Sequence, residues 1–131
     1  MDGRDEPVSP LSSFKSRGGF KRIAAASSYS MKGIAAAWRH EASFRQEVVA
    51  GGLLVPVAVW LAQSLQQALA LIGAIVFVWL VELLNSAIET LADAVSLERH
   101  PLIGRAKDLG SAAVLLSLLL AAGVWLAVLW P

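Results

Sequence analysis

Two long runs without a formal charge constrain this chain more than any other feature. Residues 48–81 contain no Asp, Glu, Lys or Arg, and neither do residues 109–130. A soluble helical bundle carries charge on every outward face, so uncharged runs of this length point to elements whose outer surface meets hydrocarbon. Composition agrees, with 56 % hydrophobic and only 16 % charged residues in a chain of 131, more apolar than an average soluble domain. The net charge of +1 decides little, but its distribution is informative. Eight of the eleven Lys and Arg residues precede position 46, and the other three are Arg99, Arg105 and Lys107. The absence of cysteine excludes a disulfide framework and a thiolate metal site. No nucleic-acid partner is expected.

Residues 1–19 lack an apolar core, hold Pro7 and Pro10 among serines and mixed charges, and read as a disordered cytosolic tail rather than a secretory signal. The rest, 20–131, reads as one membrane domain. Over residues 20–39, Phe20, Ile23, Ala24, Ser27, Met31, Ile34, Ala35 and Trp38 follow the spacing of one helical face, with Lys21, Arg22, Lys32 and Arg39 mostly opposite. A basic amphipathic helix beside a membrane span is expected to lie in the interface. Three spans follow, over about residues 47–63, 68–95 and 108–130, the first interrupted by Pro56. Gln63 to Gln67 form an uncharged turn, and His100, Pro101 and Gly104 are expected to keep 96–107 a loop. Trp125 and Trp130 suit an aromatic belt at the end of the last span. The basic N-terminal region and the basic 96–107 loop place both on the cytoplasmic side, with the C-terminus outside. The fold class is therefore all-α membrane protein, with three transmembrane helices and an N-terminal amphipathic surface helix.

Chemistry concentrates on the third helix. Glu82, Asn85, Ser86, Glu89 and Asp93 fall at i, i+3, i+4, i+7 and i+11, which puts Glu89 and Asp93 within about 20° of Glu82 around the axis. A central Asp costs about 2.5–3.5 kcal/mol on membrane-insertion scales, so such a stripe must face a bundle interior, a wet cavity or a cation. The plain alternative is a structural polar seam between helices, a common use of Asn and Ser. A second acidic group, Glu41 and Glu47 around Arg45, stands where the surface segment turns into the first span. These are either ordinary interfacial charges or the source of one further carboxylate for a cation site. Few carboxylates with phosphates and water suit Mg²⁺. The third group is Gly104-Arg105-Ala106-Lys107-Asp108, then Ser111. It reads as an anion site at a helix start, or as a cap at Asp108 with cations that fix topology. No P-loop pattern is present. Three thin helices cannot easily bury the whole acidic stripe, and small residues such as Ala112 and Ala113 would permit close association of copies.

Three stretches, residues 41–47 (EASFRQE), 81–89 (VELLNSAIE) and 104–113 (GRAKDLGSAA), together with 20–23 (FKRI) and 29–33 (YSMKG), resemble the prokaryotic diacylglycerol kinase family, whose relatives include undecaprenol kinases. The resemblance covers about residues 20–130. It implies three membrane helices with a surface helix, a homotrimer with sites shared between subunits, and ATP with Mg²⁺ as co-reactants. It implies Glu82 as the catalytic base on the lipid hydroxyl, and Glu41 and Glu89 as metal carboxylates that also meet ATP, with Asn85 in support. It implies ATP contacts at Arg22, Tyr29, Glu98, Arg99, His100, Lys107 and Asp108, and lipid contacts at Arg22, Glu82 and Ser111. Arg99 and Pro101 depart from the family pattern in the nucleotide-side loop. The expected function is ATP-dependent phosphorylation of diacylglycerol to phosphatidic acid at the bacterial inner membrane. The alternatives are an undecaprenol kinase and, from another class, a small non-enzymatic pore or transport subunit.

Overall fold

The computed structural model of the protein describes residues 18–95 and 97–131. The expected N-terminal tail lies outside the described residues except for Gly18 and Gly19. Four helices account for nearly all of the described chain: α1 Gly19–His40, α2 Ala42–Leu61, α3 Leu65–Val95 and α4 Pro101–Leu129. Three of them, α2, α3 and α4, are long and apolar enough to cross a membrane. Their outward faces carry large bare side chains such as Leu53, Trp60, Leu80, Leu116 and Leu119, as a helix surrounded by lipid requires.

The chain divides into two units at Gly33. In the N-terminal unit, Ser27 and Ser30 return their hydroxyls to the carbonyls of Ile23 and Ala26, each at 2.9 Å. This local bond lets serine sit inside a helix without an unpaired group. Phe20, Ile23, Tyr29 and Met31 are all exposed.

In the second unit α3 is the central element and packs along both α2 and α4. Its core is Leu71, Ala74, Ile75 and Val78, a 3, 4, 7 pattern that continues into Glu82 and Ser86. Two indoles staple the bundle. Trp79 Nε1 donates to the Glu47 carbonyl on α2 at 2.8 Å, and Trp125 Nε1 on α4 donates to the Leu71 carbonyl at 3.1 Å. Gly51 makes the first staple possible, because a Cβ there would collide with Ile75 Cγ2 and the Trp79 ring. Pro56 sits inside α2, as the sequence indicates.

Two boundaries differ from the sequence-based expectation. The turn before α3 is shorter than 63–67. Ser64 Oγ accepts from the Gln67 amide at 3.2 Å, and Gln67 Oε1 accepts from the Gln63 amide at 2.9 Å. This Ser-x-x-Gln exchange is a variant of the capping box and starts the helix at once. The 96–107 loop is also mostly absent: α4 begins at Pro101, two turns before residue 108, and continues through Gly104. Proline ends a helix from inside but favours its first position, where its missing N–H is not needed. His100, not Asp108, is the cap, its Nδ1 accepting from the Leu102 amide at 3.2 Å.

Candidate active site

The site grows out of the length of α3. Its 31 residues extend about 46 Å at the α-helical rise, well beyond a hydrocarbon core of about 30 Å. Glu82 lies about 26 Å along the axis from Leu65, and Glu89 and Asp93 about 10 and 16 Å further. One helix therefore carries its stripe from the edge of the apolar band into the polar zone. Glu82 is only 4 % exposed and Ser86 8 %, whereas Asn85 and Glu89 are half-buried and Asp93 is exposed. Along the stripe, Asn85 Nδ2 stands 3.5 Å from Glu89 Oε1, and Thr90 Oγ1 donates to the Ser86 carbonyl at 2.8 Å.

The second acidic group faces the same place. Charges on Glu47, Glu89 and Glu41 all reach Glu82. Glu41 occupies the break between α1 and α2 in extended conformation, φ −113° and ψ 105°. That break frees carbonyls at the end of α1, and Arg45 takes them up. Its Nη1 donates to the carbonyls of Trp38 at 2.8 Å and Arg39 at 3.2 Å. A cation on a helix C-terminus is favoured by the dipole as well as by the bonds. Arg45 thus holds the corner that positions Glu41. Among the described residues, no three His, Asp or Glu side chains converge as a metal cage. Mg²⁺ needs no such cage, because it binds through one or two carboxylates and fills its shell with phosphate oxygens and water.

The cationic group behaves differently from a free anion site. Lys107 Nζ lies 2.6 Å from Asp93 Oδ1, joining the polar regions of α3 and α4. Lys107, Asp93, Glu98, Arg99 and His100 line one open cleft of about 500 Å³ together with Gly104. That volume falls in the range of small-molecule sites. Asp108 and Ser111 follow on α4 and are exposed. Arg22 and Tyr29 lie in the N-terminal unit, both exposed, with Lys32 Nζ 5.8 Å from the centre of the Tyr29 ring.

The structure thus gathers Glu82, Asn85, Glu89, Glu41 and Glu47 in one region, and Glu98, Arg99, His100 and Lys107 in an adjoining cleft. Two contacts escape a reading of the sequence in one dimension. Asp93 meets Lys107 only because α3 and α4 fold back on each other. Gly110 lies against Asn85, and its position in the GRAKDLGSAA stretch is the only trace of that contact.

An all-helical membrane protein with a carboxylate line on its central helix, buried at Glu82 and running toward a charged cleft, is the class these features define. Residues 28–129 match the family model for prokaryotic diacylglycerol kinase. The chain is 49 % identical over 112 residues to a diacylglycerol kinase of Escherichia coli (strain K12), covering 86 % of this chain and 92 % of that protein. It is 47 % identical over 118 residues to a diacylglycerol kinase of Pseudomonas aeruginosa, covering 90 % and 96 %, and 36 % identical over 107 residues to one of Haemophilus influenzae, covering 82 % and 91 %. The chain belongs to the prokaryotic diacylglycerol kinase family, a family of bacterial membrane proteins.

Proposed function

We propose that this protein is an ATP-dependent diacylglycerol kinase whose reaction takes place along the stripe from Glu82 to Glu89. The observation that carries this reading is the near-complete burial of Glu82, at the edge of the apolar band and within reach of three further carboxylate charges. A carboxylate so placed would meet a hydroxyl presented from the bilayer, and the cleft lined by Lys107 lies beyond it toward the end of α3.

In the reaction, Glu82 accepts the proton of the lipid hydroxyl as its oxygen bonds to the γ-phosphorus. The bond from that phosphorus to the bridging oxygen breaks, and ADP departs with the electron pair. Phosphoryl transfer of this kind depends on positioning and charge neutralisation more than on covalent chemistry. Glu41 and Glu89 would hold Mg²⁺, which supplies charge neutralisation at the phosphates when bound. Asn85 orients Glu89. Lys107 leaves Asp93 to pair with phosphate oxygens, and Glu98, Arg99 and His100 border the adenosine part, with Asp108 beside them. Ser111 and Arg22 contact the lipid, and Tyr29 borders the nucleotide.

The same reading has α1 lying in the cytoplasmic interface of the inner membrane, the N-terminus inside and the C-terminus outside. It also has three copies sharing their sites, which would cover the half-exposed carboxylates. The relatives named above favour diacylglycerol over undecaprenol, and a kinase over a pore. Protection of the detergent-solubilised protein from heat by ATP, requiring Mg²⁺, followed by transfer of the γ-phosphate to diacylglycerol, tests the reading. Phosphate transfer to undecaprenol alone, or ion flux into liposomes without nucleotide, would replace it.

A further inference from the structure

Where α4 packs on α3, bare backbone meets a site residue. A Cβ built on Gly110 would strike Asn85 Oδ1 at less than any real contact distance, with Asn85 Cγ at 3.2 Å and Ile88 Cδ1 at 3.8 Å. The Cα hydrogen in that direction therefore points at the amide oxygen. Asn85 Oδ1 is fully buried and has no conventional hydrogen-bond donor among the described residues. A Cα–H···O contact is the weak partner that remains.

The other half of the same amide faces Glu89. Charge fixes this orientation, since an NH₂ donates to a carboxylate whereas the amide oxygen is repelled by it. The contact of 3.5 Å is at the long end for a hydrogen bond. Its geometry has little reserve: a small displacement of the amide away from Glu89 ends it, and a small displacement toward Glu89 strengthens it.

We propose that Gly110 is a positioning residue for the reaction: the absence of a side chain there seats the Asn85 carboxamide, which in turn orients the Glu89 carboxylate. The inference rests on the kinase reading for its effect on turnover, but the seating itself is a matter of geometry. Gly110 brings no polar side chain and no charge; its role is the space it leaves. A methyl group at this position is accommodated by swinging Asn85, the flexible partner, so orientation suffers before the fold does.

A direct readout exists because Asn85 is the only asparagine in the chain. Protein labelled with ¹⁵N-asparagine in detergent gives one side-chain NH₂ pair by NMR. In the native chain, Glu89→Gln is expected to move that pair; in Gly110→Ala the pair is already displaced, and adding Glu89→Gln moves it little further. In ATP-to-diacylglycerol transfer, Gly110→Ala is expected to lower kcat on the order of tenfold to a hundredfold, as misplacement near a reacting centre does, with the KM for diacylglycerol little changed. In an Asn85→Ala background Gly110→Ala is expected to cost nothing more. Gly123→Ala, whose methyl meets open space, serves as the control.

An unmoved NH₂ pair in Gly110→Ala, or full kcat with the pair displaced, overturns the proposal. So does a loss in Gly110→Ala that is undiminished in the Asn85→Ala background. Should Gly110→Ala not fold, the Gly110→Ala/Asn85→Ala pair must fold, because the atom that met the methyl is gone; a pair that still fails overturns the seating. A native chain that transfers no phosphate rejects the kinase reading and leaves the NMR comparison to judge Gly110 alone.

Discussion

The two halves of α3 solve opposite problems on one continuous helix. From Leu65 to Val81 every buried side chain is apolar, and the two bonds that tie this half to its neighbours run from indole N–H groups to backbone carbonyls, Trp79 to Glu47 and Trp125 to Leu71. From Glu82 to Val95 the buried face is Glu82, Ser86 and Ala92, and the polar bonds are a carboxamide and a hydroxyl contact within the helix and one ion pair to α4. The first half is an anchor whose outer face needs only to be greasy. The second half holds charges where they are expensive, and it can do so because the first half fixes the helix against α2 and α4. Rigidity in one half is what allows costly electrostatics in the other.

Substitutions that strike the polar half should abolish chemistry with little effect on folding, and those in the apolar half should do the reverse. Glu82 aside, the largest effect is expected for Glu89→Gln and Glu41→Gln. Each should lower kcat/KM on the order of a hundredfold or more, in line with removal of a preorganised charge from a reacting centre, and raise the Mg²⁺ concentration needed for half-maximal rate. A Mg²⁺ titration of transfer by each variant checks this, and an unchanged Mg²⁺ requirement would remove both residues from the metal.

Next in size is the corner at Glu41. Arg45→Ala leaves the Trp38 and Arg39 carbonyls without their side-chain donor, so kcat/KM should fall about tenfold through misplacement of Glu41, with a smaller loss for Arg45→Lys. Steady-state kinetics of the pair would show whether hydrogen-bond geometry or charge matters.

At the cleft, Lys107→Ala should raise the KM for ATP several-fold, whereas Asp93→Asn should lower it by freeing Lys107, and neither should alter the melting temperature measurably. A raised KM in Asp93→Asn would mean that the Lys107–Asp93 bridge is the nucleotide-competent form. In the apolar half, Trp79→Phe removes one hydrogen bond and should cost about 1 kcal/mol of stability, measured by thermal unfolding in detergent, with activity nearly intact. A Trp79→Phe protein as inactive as a Glu89 variant would erase the distinction between the two halves.

The sequence is legible where one helix carries the whole signal. The charge-free runs mark the apolar helices, and the 3, 4, 7 spacing of Glu82, Asn85 and Glu89 by itself puts them on one face. It is less legible where two elements meet. Pro101 and Gly104 read as breakers because the same residues that stop a helix also start one, and only His100 acting as cap settles which role applies. Ser64 and Gln67 hold a start signal that a view of them as an uncharged turn passes over. Asp93 with Lys107, Arg45 with the end of α1, and Gly110 with Asn85 are contacts of the folded chain, and the alternation of residue types along it does not encode which helix lies opposite.

The role of Glu82 at the meeting of lipid and nucleotide is tested by transfer of the γ-phosphate of labelled ATP to diacylglycerol by the purified protein in detergent with Mg²⁺, comparing the native chain with Glu82→Gln. The glutamine keeps the shape of a side chain only 4 % exposed and removes its capacity to take a proton. The expected result is labelled phosphatidic acid from the native protein and a loss of kcat on the order of 10²–10⁴-fold in Glu82→Gln, the usual contribution of a general base, at unchanged melting temperature. Full transfer by Glu82→Gln, or no labelled phosphatidic acid from the native chain, would refute that role.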